Sequence, residues 1–384
     1  MNRPSYRALP LNLRLAFALS LTAAIPSLSP ADDQVGGSRA AGMAGAGLAL
    51  PLDIGNNHRL NPAMLGYAQA RLSFQYPEFG YHLDGITLSD LQNKFGNLGQ
   101  GGVDSNKLIS IAQTLGDGQK TIGVDASLGI EFGGFSLDGD GSANITTVPN
   151  QALVADTKAG SLTNLNDQLD AYGLTDYEVG ASYGHLIPTT TGHLSIGATL
   201  KSVTAYYAHQ YVNGSTITTG SGSTIAAPEM GGADYLKQSG VGADLGLLYD
   251  SGKNSNVYYG MTITNFIEPN ISFTHFVPVT DPNSGATTET QSNNIDPFRR
   301  TFNLGVGGVV NGKILLAADY YDIFNQNDNG QLRLGAEYAF GHGFALRGGY
   351  NTTTGFTVGF SVLGINFAYA SNSELSAALG VKFN

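Results

Sequence analysis

Residues 331–383 read QLRLGAEYAFGHGFALRGGYNTTTGFTVGFSVLGINFAYASNSELSAALGVKF, and two interleaved series run through them. Leu332, Leu334, Ala336, Tyr338 and Phe340 alternate with Arg333, Gly335, Glu337 and Ala339. After Gly341-His342, Phe344, Leu346 and Tyr350 alternate with Ala345, Arg347 and Gly349. Phe356, Val358, Phe360 and Val362 then alternate with Thr357, Gly359 and Ser361, and Leu375, Ala377, Leu379, Val381 and Phe383 with Ser376, Ala378, Gly380 and Lys382. A period of two is the strand signal, because successive side chains of a strand point to opposite faces. The breaks at 341–342, 352–353 and 371–373 are short and polar, as hairpin turns require.

The same pattern extends towards the N-terminus. In Asp176–Ile187 one face carries Tyr177, Val179, Ala181, Tyr183, His185 and Ile187, and the other Asp176, Glu178, Gly180, Ser182, Gly184 and Leu186. The segments predicted as strands are 69–80, 120–132, 134–148, 175–188, 191–206, 237–250, 255–267, 298–309, 312–323, 329–339, 342–351, 354–362, 363–371 and 374–383, about fourteen in all. An even number suits a single-chain bacterial barrel, whose strands cross the bilayer in about 9–11 residues. Residues 207–236 and 268–297 read as long polar loops, extracellular on a barrel reading. Two stretches carry helix-like spacing and predict helical insertions at 87–115 and 161–172.

Alternation alone fits a soluble sandwich or a membrane barrel turned inside out. Three features select the barrel: an export signal, the length, and a polar face rich in small residues, which suit a closed interior. Only 13% of the 384 residues are charged, against about 25% in soluble proteins, yet the mean hydropathy is only −0.05. Alternating apolar and small residues produce that combination, and no apolar run after residue 31 is long enough for a spanning helix. The fold class is therefore all-β, a transmembrane antiparallel β-barrel.

Arg3, Arg7 and Arg14 precede an apolar run from Leu15 to Leu28, which reads as an exported leader. The run is shorter than the ~20 residues of a membrane anchor. Cleavage after Ala31 is expected, with Ala23-Ala24 as a second candidate. Removing the three Arg from 19 basic residues leaves 16 against 30 acidic, a formal charge of −14. That balance argues against a nucleic-acid surface. The expected organisation is a signal peptide over 1–31, an N-terminal hatch over 32–68 and the barrel over 69–384, located in the outer membrane.

With no Cys, thiol chemistry and thiolate metal sites are excluded. The seven His (58, 82, 185, 193, 209, 275 and 342) show no i, i+4 zinc motif. His185, with Ser182 and Ser195 nearby, offers residue types a phospholipase would need, but reads as an interfacial His near a turn. The glycines of 129–134 and 240–246 lie in strands with no helix following, so they cannot cradle a phosphate. Asp138-Gly-Asp140-Gly-Ser142 lacks the spacing of a calcium loop and reads as a turn. The pairs Tyr206-Tyr207, Tyr258-Tyr259 and Tyr320-Tyr321 read as the interfacial girdle. No catalytic residue, metal site or cofactor is expected, and the chain is not read as an enzyme.

Gly37-Ser-Arg-Ala-Ala-Gly-Met-Ala-Gly-Ala-Gly47, followed by Asn61-Pro62-Ala63-Met64-Leu65, resembles the start of the FadL/TodX-like group of outer-membrane proteins. The resemblance implies a hatch inside a fourteen-stranded barrel, with Gly42, Gly45, Gly47, Asn61, Pro62 and Ala63 as its residues. Physics agrees: a Gly/Ala-rich segment can pack closely against a wall, and Asn-Pro makes a rigid turn. The order of Gly173–Tyr183, His193–Lys201, Leu346–Asn351 and Asn366–Ala370 narrows the likeness to the conjugal-transfer TraF-type barrels, distinct from the thioredoxin-like protein of the same name. Tyr369, Leu379, Val381 and Phe383 then stand as the membrane-insertion signal, although Asn384 follows the aromatic residue. Implied partners are outer-membrane lipid and the barrel-insertion machinery, with either a small hydrophobic ligand or envelope proteins. Two functions stay open: an envelope or transfer-associated role, or uptake of small hydrophobic molecules.

Overall fold

A computed structural model describes residues 37–51, 56–68, 72–90, 113–160, 167–213, 235–252, 256–280, 287–325, 330–363, 365–371 and 375–382. Both proposed cleavage points and Phe383 lie outside these residues.

Fourteen strands form the wall. They are β1 (Leu72–Asp84), β2 (Lys120–Phe132), β3 (Phe135–Pro149), β4 (Gln168–Pro188), β5 (His193–Asn213), β6 (Tyr235–Asp250) and β7 (Val257–Ile267), then β10 (Thr301–Val310), β11 (Ile314–Tyr321), β12 (Gln331–Gly341), β13 (Phe344–Asn351), β14 (Gly355–Val362), β15 (Ile365–Ala370) and β16 (Leu375–Lys382). Each pairs antiparallel with its neighbours, and β1 pairs with both β2 and β16, so the sheet closes on itself. Closure satisfies the backbone groups that an open edge would leave unpaired in lipid.

The alternation is inside out. Val179, Leu200, Val241, Leu346 and Phe356 lie on the exposed outer face, while Ser182, Lys201, Arg333, Glu337 and Arg347 are buried inside. Lipid, in place of a protein core, solvates the apolar face of such a barrel. Turns such as 133–134, 189–192 and 342–343 lie at one end, and the long connections lie at the other, together with the short turn 352–354. In barrels of this type the short turns are periplasmic and the long loops extracellular.

Four expectations are corrected. Residues 268–297 are more than a loop: β8 (Phe273–Thr280) and β9 (Thr287–Ile295) pair as an antiparallel hairpin outside the barrel order. Ile271 and Phe273 bury themselves against Val203, Ala205 and Tyr207 of β5, which anchors the hairpin. Residues 207–213 are strand, because β5 stays paired with β4 as far as Asn213↔Gln168. The helix near 161–172 is displaced: Gln151–Ala159 is helical, capped by the Asn150 side chain and ended by Gly160 at φ 72°, while 168–172 belong to β4. Within 87–115, a single turn at Leu88–Asp90 and helix from 113 are described, and 91–112 lie outside the described residues. Finally, 137–142 run through the middle of β3 and make no turn.

Candidate functional site

Small residues let the chain between Gly37 and Tyr67 lie against the inner wall. A short helix, Gly37–Ala41, leads into left-handed turns at Gly45 (φ 76°) and Gly47. Gly42 faces Gly359 of β14 so closely that a Cβ on Gly359 would stand 2.7 Å from the Gly42 Cα. The Gly42 carbonyl accepts from the Thr357 hydroxyl. The Gly47 and Leu48 amides both donate to Asp319 Oδ2 on β11, at 2.6 and 2.9 Å.

Asn61 organises the second half. In an extended conformation it caps the 3-10 turn Pro62–Tyr67, its Oδ1 accepting from the Ala63 amide. Pro62 occupies the start of that turn, where its missing N–H costs nothing. Asn61 Nδ2 donates to the carbonyls of Leu48 and of Leu247 on β6. The Ser195 hydroxyl of β5 donates to the Ala63 carbonyl at 2.6 Å. Gly42, Gly45, Gly47, Asn61, Pro62 and Ala63 are thus all brought onto the inner wall.

Charged side chains, to which periodicity alone gives no role, tie the segment on two sides. Arg39 makes a two-pronged contact with Glu337 of β12, at 2.8 and 2.5 Å. Arg347 of β13 donates to the same carboxylate and to the Ser361 hydroxyl. Across the lumen, Arg59 reaches Asp140 of β3 at 2.5 Å and His58 Nε2 lies 2.8 Å from Asp138. Burial pulls the Arg59 guanidinium down, but Asp140, Glu178 and Asp138 outweigh it and hold it above its usual value. The signal for these residues was their parity: Arg333, Glu337 and Arg347 sit on the otherwise small-residue face, and Asp138 and Asp140 share one face of β3 at a period of two.

Between the segment and the wall from β1 to β7 lies a chamber of about 390 Å³. Seven carboxylates line it (Glu78, Asp125, Asp138, Asp140, Asp176, Glu178 and Asp244) against two cations, Arg59 and Lys201. Lys201 lies 3.1 Å from Asp244 and 3.5 Å from Glu178. Towards the outer mouth the lining turns apolar, with Tyr172, Leu174 and Phe298.

Among the described residues, two serine–histidine neighbourhoods can be compared with a hydrolytic arrangement. Ser182 is buried inside while His185 is exposed on the opposite face of β4. The Ser136 hydroxyl approaches His58 Nε2 at 3.1 Å, but it also donates to Asp138, which occupies the same ring nitrogen. Glu131 Oε1 stands 3.6 Å from the other ring nitrogen, Nδ1, but Nε2, which would have to take the Ser136 proton, is already engaged by Asp138. The tyrosine pairs divide between faces, as strand parity demands. Tyr259 and Tyr320 are exposed, whereas Tyr207 is buried and Tyr321 stacks under Arg333 at 3.8 Å. Only one member of each pair can therefore contribute to an outer girdle. Tyr369 is exposed on β15, Leu379 and Val381 stand in β16, and Phe383 lies beyond the described residues.

The fold and its inner segment define an outer-membrane β-barrel whose lumen is occupied by its own N-terminal chain. A family model described as "F plasmid transfer operon, TraF, protein" matches residues 122–362, well over half of the sequence, and the chain belongs to that family. No curated protein sequence matches it. Among solved structures, the Ralstonia pickettii toluene transporter TbuX is similar at 14% identity and TM-score 0.52, over 92% of this chain and 100% of that one. The toluene transporter TodX of P. putida is similar at 12% identity and TM-score 0.51, over the same shares. At such identities the likeness is one of fold.

Proposed function

We propose that this barrel acts in the outer membrane as a closed, plugged passage whose acidic chamber accepts small polar cations, and that its envelope or transfer-associated role is exercised through that passage. A leader over residues 1–31, removed on export, would deliver it there, and residues 32–68 would serve as the hatch. The observation that carries the reading is the chamber lining of seven carboxylates and two cations. Focused negative potential raises the local concentration of cations and repels anions. Ion pairs on both sides of the segment favour a passage that stays shut until those contacts are exchanged.

The test is conductance of the refolded, heat-modifiable protein in planar bilayers. The intact barrel should conduct little, and a variant lacking residues 37–68 should open a cation-selective path. Large anion-selective currents would overturn the proposal. Uptake of small hydrophobic molecules is the second reading, favoured by Tyr172, Leu174 and Phe298 at the mouth. Liposome entry of toluene through the intact barrel, without cation conductance in the truncated one, would favour it instead.

A further inference from the structure

At the extracellular end, one side chain from the β8–β9 hairpin meets two from the wall. Asp170 stands near the outer start of β4 and His209 near the outer end of β5, and each of those strands is 21 residues long. Crossing a bilayer takes about 9–11 residues, so this part of the wall stands clear of the hydrocarbon. His275 comes from β8, far away in sequence. His209 Nε2 lies 2.6 Å from Asp170 Oδ1, and His275 Nε2 lies 3.2 Å from Asp170 Oδ2. The three donor atoms all fall within 4.8 Å of one another.

We propose that Asp170, His209 and His275 form a binding site for a divalent transition-metal ion of the zinc class, which fastens the β8–β9 hairpin to the barrel mouth. Two imidazoles and one carboxylate are a borderline nitrogen–oxygen set, suited to zinc and unsuited to calcium or magnesium, which take oxygen ligands. With metal–ligand distances of about 2.0–2.2 Å, tetrahedral ligands stand about 3.3 Å apart. With Asp170 Oδ2 as the ligand atom, the His275 Nε2 separation of 3.2 Å already matches, and the short His209–Oδ1 hydrogen bond must give way as that imidazole turns to the ion.

A supporting contact orients one ligand. His275 Nδ1 lies 2.6 Å from the Tyr207 hydroxyl. With its proton on Nδ1, His275 donates to that oxygen and turns the Nε2 lone pair towards Asp170, the arrangement by which outer groups fix metal-binding imidazoles. Tyr207 is itself held by stacking on Phe273, with ring centroids 5.4 Å apart. A two-stranded hairpin is marginal alone, so an ion that binds only the docked arrangement stabilises it.

The experiment uses the full-length barrel in detergent, stripped of metal and titrated with Zn2+ by calorimetry, with Co2+ as an absorbing substitute. One Zn2+ per chain is expected, with His275→Ala and His209→Ala each weakening binding at least ten-fold. Tyr207→Phe should weaken it about ten-fold while leaving the Co2+ spectrum tetrahedral. Heat modifiability checks that each variant folds. Zn2+ should also slow amide exchange at 273–280 in the intact protein and not in His275→Ala. Zn2+ binding that persists in the double His variant, or no binding in the intact barrel, overturns the site. Binding without protection of β8 overturns its role as a fastener.

Discussion

Replacing Arg59 by Ala tests whether charge holds the inner segment in place. The guanidinium and the Asp140 carboxylate are each about a fifth exposed, at 19% and 17%, and meet at 2.5 Å. Exposed pairs contribute about 0–1 kcal/mol, and breaking a fully buried pair costs about 3–5 kcal/mol. The intermediate burial places this pair near 2 kcal/mol. Removing Arg59 also leaves seven carboxylates facing a single Lys201 in the chamber. Since about 1.4 kcal/mol is a factor of ten, the released population should rise about 30-fold. Single-channel recording reads this as open probability, with the heat-dependent mobility of the barrel unchanged. Asp140→Asn should produce a similar rise, and the double variant should fall short of the sum, because both changes remove one interaction. Strict additivity, or an Arg59→Ala open probability within about three-fold of the parent, would refute the argument.

Three further outcomes follow from the geometry. Gly197→Val puts a side chain into the backbone of Pro62 and Ala63; the barrel should still fold, with raised conductance, and parental conductance would show that close approach is unnecessary. Asn61→Ala removes the turn cap and two hydrogen bonds to carbonyls, costing the docked segment about 2–3 kcal/mol, which limited proteolysis of residues 37–68 should register as faster cleavage. Asp167, before β4, is buried with no hydrogen-bond partner for either oxygen among the described residues, and burial followed by the Asp156 charge pushes its carboxyl up to about 6. A folded-state value above the unfolded ~3.9 means that the stabilisation is complete below about pH 4 and is lost as pH rises through 6. Amide exchange over helix 151–159, corrected for its intrinsic rate, should be faster at pH 7 than at pH 4.5, and Asp167→Asn should abolish the difference.

Most wall strands, and the face each side chain takes on them, were legible in the chain's local pattern. Alternation is a local property, so Leu332, Leu334 and Tyr338 could be assigned to one face, and Arg333 and Glu337 to the other, without knowing what either face meets. The local pattern also marked Gly42–Gly47 and Asn61–Ala63, because small residues and Asn-Pro have backbone consequences that need no partner. What the inward charges do depends on contacts that form only in the folded barrel. Arg39 and Glu337 are 298 residues apart and become a pair only when the barrel closes around the segment. Asp170, His209 and His275 come from three strands, so no spacing could have announced them. The hairpin β8–β9 was hidden for a related reason: its anchor, Phe273 against Val203 and Tyr207, lies on another strand. Local periodicity writes direction into a chain, whereas the pairing of charges and ligands depends on which strands the closed sheet makes neighbours.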